Sequence, residues 1–297
     1  MPDSRDQVLP PSLFNKCKFI SLGATGWVFE VAPGIALKYR CTGRDDEFRR
    51  KNETYELIKR SSPPPYFIQS FLRFPYAHFM QFIPDCLDHR LRSNRRQDPK
   101  TLKCFEVLRL EPTAKIGQWA AELSSALAWL ESLGLVQGDL RPSNILLDRE
   151  NDDHLKLVDF DSCAKIGDID PGLPPPWSSP NHQFYGAGTE QFAFGSIIYN
   201  LTHGVEPYED KGPEIITLFL TMVFPELSDS PLDVLTRRCW SSEFATLADL
   251  AKDCAMLQGA SPAATANAAD DDYTARMKWT CEELLRTKLA DLGDESP

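Results

Sequence analysis

The chain has 297 residues, 42% hydrophobic and 25% charged, which is the profile of an ordinary globular protein long enough to bury one large core or two small ones. Its net charge of -11, from 43 acidic against 32 basic residues, disfavours nucleic-acid binding and gives no attraction to anionic membranes. The eight cysteines lack a CxxC pair or Cys/His metal spacing and read as reduced, mostly buried thiols of an intracellular protein.

Residues 1–18 read as an N-terminal extension, and "MPDSRDQVLPPSLF" lacks the basic-then-apolar layout of a signal peptide. The apolar run "IITLFLTMVF" at 215–224 is about half of the ~20 residues a spanning helix needs. A cytoplasmic protein is therefore expected. Residues 19–39, "FISLGATGWVFEVAPGIALKY", predict strand, small-residue loop, strand, turn and strand. Residues 44–60 predict a charged surface helix with Phe48, Tyr55 and Ile58 on one stripe. After Pro63-Pro64-Pro65, "YFIQSFLRF" and "HFMQFI" predict two more strands.

Beyond Pro84 the period becomes helical. Ile116, Trp119, Leu123, Leu127, Leu130 and Leu133 mark a helix over 112–133, with Pro112 in its first turn and Gly134 as its stop. "VQGDLRPSNILLD" at 136–148 predicts a loop feeding a strand, and "HLKLVDF" at 154–160 another strand. A Pro/Gly/Ser-rich loop covers 168–188, and an apolar helix covers 189–204. An Ala/Asp-rich linker at 259–272 leads to an amphipathic helix from about Tyr273 to Leu292. The basic run at 90–100 reads as a solvated face.

Five pieces then fall in one order: the loop "SLGATGWV", Lys38 in "IALKY", Glu53 in "NETYELI", Asp139 and Asn144 in "GDLRPSN", and Asp159 in "DFD". Taken singly, the loop is an ordinary turn and a Lys/Glu pair an ordinary surface ion pair. Together they resemble the protein-kinase fold over roughly residues 19–257, and more narrowly the divergent kinase-like proteins of fungal genomes. The resemblance implies an α+β, bilobal fold: a small β-rich N-lobe at 19–80, a larger mainly helical C-lobe at 81–258, and a linker and helix at 259–297. It implies ATP and Mg²⁺ as cofactors and a protein Ser/Thr hydroxyl as acceptor, in a monomer that binds neither nucleic acid nor membrane.

Residue by residue, the resemblance makes Ser21, Gly23, Gly26 and Val28 the phosphate loop, whose glycines let backbone approach phosphate oxygens. Lys38 would reach the phosphates and pair with Glu53, with Glu47 and Glu56 as other acidic partners and Leu57 packing behind. Met80 would guard the adenine pocket or be plain core, and Ala36, Phe82 and Leu146 complete the nucleotide-binding set. Asp139 would be the base, Arg141 a cation on the transferring phosphoryl, and Asn144 and Asp159 the metal ligands.

Ser21 replaces the first glycine of the phosphate loop, a modest departure from the family pattern, and the other departures fall outside these groups. Gln137-Gly138 replaces His-Arg, which removes the Arg that receives an activation-loop phosphate. Asp161 replaces the Gly of D-F-G, where a left-handed backbone is tolerated by Asp. Ser179-Pro180-Asn181 replaces A-P-E, and its Arg partner is missing as well. Glu190 stands where the family has the Asp that ties down the catalytic loop, so a hydrogen bond from the Gln137-Gly138 region is expected. A small-molecule phosphotransferase, which shares the Gly-Asp, a nucleotide-binding pseudokinase and a scaffold without nucleotide are the other readings.

Overall fold

The computed structural model describes residues 11–101, 103–261 and 271–292. A short helix, α1 (Pro11–Lys16), leads into alternating apolar residues, which draw the chain into three consecutive antiparallel strands. These are β1 (Lys18–Leu22), β2 (Gly26–Ala32) and β3 (Ile35–Arg40). Helix α2 (Asp45–Arg60) opens with Asp45, Asp46 and Glu47 and closes with Lys59 and Arg60, a charge order that suits the helix dipole. Strands β4 (Ser70–Arg73) and β5 (Ala77–Gln81) complete a sheet of order β1-β2-β3-β5-β4.

Opposed pairs set which side chains share a face. Val28 lies opposite Lys38, Lys38 opposite His78, and Ala36 opposite Met80, so Val28, Ala36, Lys38 and Met80 stand on one face. Phe29, Val31, Leu37, Tyr39 and Phe79 stand on the other, in a buried core. The expected α2 stripe is buried at Phe48, Tyr55 and Ile58, but Lys51 joins it. Leu57, expected to pack inward, is instead 43% exposed, because it lies about 100° round the helix from Ile58.

The second unit begins at Asp85. Helix α3 (Leu87–Ser93) and a hairpin of β6 (Arg95–Gln97) and β7 (Cys104–Val107) open it. Here the basic run departs from a solvated face. Arg90 makes two hydrogen bonds to buried Glu111, at 2.7 and 3.1 Å, and buried Arg95 meets Glu209 at 3.0 Å. Helix α4 (Thr113–Ser132) buries Ile116, Trp119, Leu123, Leu127 and Leu130. Strands β8 (Leu135–Val136), β9 (Ile145–Asp148), β10 (His154–Leu157) and β11 (Ala164–Lys165) form two small ladders, β8 with β11 and β9 with β10.

Helix α5 (Ala187–His203) ends at Gly204, whose φ of 74° makes the left-handed cap that glycine favours. Buried almost throughout, α5 packs on α4 and on α7 (Pro231–Trp240), which α6 (Glu214–Leu220) precedes. Helix α8 (Leu247–Cys254) lies along α4, and the Glu131 carboxylate caps its first turn by accepting the Leu247 and Ala248 amides.

The C-terminal helix α9 (Asp271–Arg286) belongs with the first unit. Tyr273, Met277, Cys281, Leu284 and Leu285 cover the apolar sheet face, together with Leu289, Leu292 and Leu13 of α1. The Lys288 ammonium donates to the Val31 carbonyl at 2.9 Å. The helix ends six residues before the expected Leu292, and a short turn at Ala290–Leu292 continues the packing. Most of the linker predicted at 259–272 lies outside the described residues. Among the described residues no helix is long and apolar enough to cross a membrane.

Candidate active site

Two strand ladders set the site. The loop 137–144 joins β8 to β9 and the segment 158–163 joins β10 to β11, so pairing β8 with β11 and β9 with β10 brings the two loops side by side. Leu140, Ile145 and Leu147 are buried and anchor the first loop, as a positioned general base requires.

Asp139 is buried, and its two oxygens are treated differently. Oδ2 accepts the Asn144 Nδ2 amide at 3.0 Å and faces the Arg141 guanidinium at 2.9 Å. Oδ1 is buried and accepts no hydrogen bond among the described residues. Burial pushes the Asp139 carboxyl above its ordinary range, and the Asp159 charge adds to this while Arg141 and Asn144 oppose it. Asn144 also donates to the Asp139 carbonyl at 2.8 Å, which turns its carboxamide oxygen, the atom able to bind a cation, away from Asp139. Arg141 thus meets Asp139 directly, a contact that the sequence did not suggest.

Gln137, which the sequence marked as a departure from His and as part of the region held by Glu190, has a further role in the site. Its carboxamide oxygen accepts the Asp139 amide at 2.7 Å, and its nitrogen donates to the Asp159 carbonyl at 3.0 Å. One side chain therefore ties the two loops together. The signal was its place, where the family carries His. Gly138 adopts φ +78°, and a Cβ there would meet the Ser162 carbonyl oxygen at 2.2 Å. The first loop packs on the second at that point. The left-handed residue of "DFD" is Asp159, with φ 56°, while Asp161 sits inside the short helical turn Phe160–Ser162, which corrects the backbone role expected of Asp161.

Glu190 holds the loop through two backbone amides. Oε2 accepts the Gln137 amide at 3.1 Å and Oε1 accepts the Gly138 amide at 3.2 Å, the tether expected from its position. Burial pushes the carboxyl up to about 7, against the pull of those two amides.

In the sheet unit, the Gly23 amide donates to the Gly26 carbonyl at 2.9 Å to close the small-residue turn. A Cβ on Gly26 would lie 2.6 Å from the Tyr39 carbonyl oxygen, and one on Gly23 would lie 3.5 Å from Lys38 Nζ. The buried Lys38 ammonium thus lies beside the glycine turn, while Ser21 is exposed on edge strand β1. Val28, Ala36 and Met80 share the Lys38 face, and the Phe82 amide donates to the Gly34 carbonyl at 2.9 Å. Leu146 belongs to the second unit, on β9.

The acidic partner is placed otherwise than expected. Glu53 is exposed, about 200° round the helix from the buried Lys51. Glu47 pairs with Arg44, and Glu56 with Arg73 and Arg60. The charged group on the inner face of α2 is Lys51, whose ammonium lies 5.2 Å from the Phe48 ring centroid and 6.0 Å from that of Tyr55. Tyr55 in turn meets the His78 ring edge-on at 4.4 Å.

A five-stranded antiparallel sheet in one unit and a helical unit whose D-x-x-x-x-N and D-F-x loops lie side by side define an α+β, bilobal kinase domain. The chain belongs to the protein kinase domain family, whose model matches residues 100–258. It is similar to the serine/threonine-protein kinase Sgk1 of Xenopus tropicalis, 34% identical over 224 residues that cover 68% of this chain and 49% of that protein. The human Sgk1 is 25% identical over 222 residues, 68% of this chain and 48% of that protein. The Fundulus heteroclitus Sgk1 is 33% identical over 225 residues, again 68% and 48%. The chain spans between about a quarter and a half of the length of the curated relatives it matches.

Proposed function

We propose that this chain is an ATP-dependent protein kinase that transfers the γ-phosphoryl group of Mg·ATP to a Ser or Thr hydroxyl of a protein. The observation that carries the reading is the divided carboxylate of Asp139, with Oδ2 held by Asn144 and Arg141 and Oδ1 buried without a hydrogen bond. Oδ1 accepts the hydroxyl proton as the new O–P bond forms and the bond from the γ-phosphorus to the bridging oxygen breaks, with ADP leaving. Lys38 and the turn at Gly23 and Gly26 would hold phosphates, and Arg141 would balance charge on the transferring group. Val28, Ala36, Met80, Phe82 and Leu146 would line the adenine site, and Ser21 would edge the phosphate loop.

Asn144 and Asp159 supply hard oxygen donors of the kind Mg²⁺ takes, and the orientation of the Asn144 carboxamide fits that role. Bound there, Mg²⁺ would neutralise phosphate charge. The acceptor is a protein, with no nucleic acid or membrane partner, and the protein works as a cytoplasmic monomer. Its changed H-R-D, D-F-G and A-P-E letters support a place among divergent kinase-like proteins of the sort found in fungi.

A nucleotide-binding protein without turnover is the second reading, favoured by Lys51 rather than a carboxylate on the inner face of α2. Phosphoryl transfer from labelled ATP separates the two. Asp139→Asn is expected to retain ATP binding and lose about 10²–10⁴-fold in rate. Equal rates in Asp139→Asn and wild type would leave the second reading standing.

A further inference from the structure

Glu190 is buried in the first turn of α5 and spends one oxygen on each of two backbone amides, those of Gln137 and Gly138. Only the anion can do this. Protonation turns one oxygen into an O–H donor that faces an N–H donor, and that amide loses its acceptor. The neighbouring groups come from three segments. Asp139 lies in the tethered loop, Cys163 lies after the D-F-D turn, and Asp170 and Tyr185 lie in the segment leading to α5. Asp170 and Asp139 both oppose the Glu190 charge, and with burial they place its titration at about 7, so both states are populated near neutral pH.

The tethered amides are coupled to the chemistry. The carboxamide of the same Gln137 accepts the Asp139 amide at 2.7 Å and donates to the Asp159 carbonyl at 3.0 Å. A shift of the Gln137 backbone therefore disturbs the contacts that hold the main chain of both Asp139 and Asp159. We propose that Glu190 is a proton-operated latch on the loop that carries Asp139: the charged form holds both amides, and the protonated form releases one and lets Asp139 leave its working position. Glu190 is thus a positioning residue. The proposal rests on the phosphotransfer reading for its effect on rate, but not for its effect on the loop.

Amide hydrogen exchange of the full chain, followed from pH 5.5 to 8.5, tests the latch without any substrate. Protection of Gln137 and Gly138, corrected for intrinsic exchange, is expected to fall as pH drops through about 7, while Val158, whose amide donates to the Asn144 carbonyl at 3.0 Å, stays protected. In Glu190→Gln, which cannot ionise and keeps one acceptor oxygen, protection of at least one of the two amides is expected to be low and independent of pH. Glu190→Asp, which can ionise, is expected to keep a pH-dependent step.

Phosphoryl transfer gives the second readout. Wild type is expected to lose about tenfold in kcat below the step with little change in KM for ATP, a loss in keeping with a small misplacement of a catalytic group. Glu190→Gln is expected to lack the step. Wild-type protection that is constant across the range overturns the latch, whatever the variants do. Variable protection with no phosphoryl transfer at any pH overturns the kinase reading and leaves the latch in place.

Discussion

Gly138 has two meanings, of which the sequence shows one. Against the family pattern it marks a missing Arg and so a missing form of control. In the structure it also holds φ +78° against the Ser162 carbonyl, 2.2 Å from where a Cβ would stand, so no side chain fits without moving the D-F-D turn. Gly138→Arg is therefore expected to destabilise the protein by about 1–3 kcal/mol, seen as a lower midpoint in urea, rather than to restore phosphate-dependent control. Unchanged stability in that variant would show that the two loops part easily. Asp139, Asn144 and Asp159 were legible because their spacing is a property of the chain. The Gln137 bridge was not, because its partners are backbone groups whose positions exist only once both ladders have formed. Glu53 misled for a related reason. Helix periodicity shows that α2 has a buried stripe, yet Lys51 interrupts an apolar reading of it, and its ammonium lies over the Phe48 and Tyr55 rings.

At the scale of elements, the pattern of apolar residues located the five sheet strands and the long helices but did not say what covers what. The amphipathic face of α9 is plain in the sequence, and its partner, the sheet face of Phe29, Leu37 and Phe79, lies more than 190 residues earlier. Covering that face makes α9 part of the core of the sheet unit. Leu289, fully buried just after the helix, is expected to cost about 2–5 kcal/mol when changed to Ala. Trp279→Ala, at a side chain 60% exposed, is expected to stay within about 0.5 kcal/mol. Equal effects of the two changes in a denaturant titration would mean that the helix does not dock through its apolar face. The hairpin of β6 and β7 escaped the sequence because its strands are three and four residues long, and β6, which is Arg-Arg-Gln, has no apolar residue to show an alternation. Arg90 and Arg95 read as solvated for the same reason, since their partners Glu111 and Glu209 are 21 and 114 residues away.

For the molecule as a whole, the cysteines give a stability signature in alkali. All eight are free thiols, with Cys41, Cys239, Cys254 and Cys281 buried and the other four half-buried. Burial pushes Cys163, Cys254 and Cys281 from 9.0 up to about 12, and Tyr185 from 10.0 up to about 12. Below pH 9 these groups are protonated in folded and unfolded chains alike and contribute no slope. Between 9 and 12 the unfolded chain releases protons that the folded chain retains, so stability falls as pH rises, at up to about 1.4 kcal/mol per pH unit for each proton held back. Cys281 lies in the sheet unit and Cys163 and Cys254 in the helical unit, so the signature is written in both. Urea unfolding under reducing conditions at pH 8.0, 9.5 and 10.5 is expected to show a falling free energy. A variant with Ala at all three thiol positions starts from a lower stability, because buried volume is lost, but its slope is expected to be shallower. The slope and not the absolute value is the test: parallel lines for wild type and variant would mean that these thiols ionise in the folded protein as readily as in water.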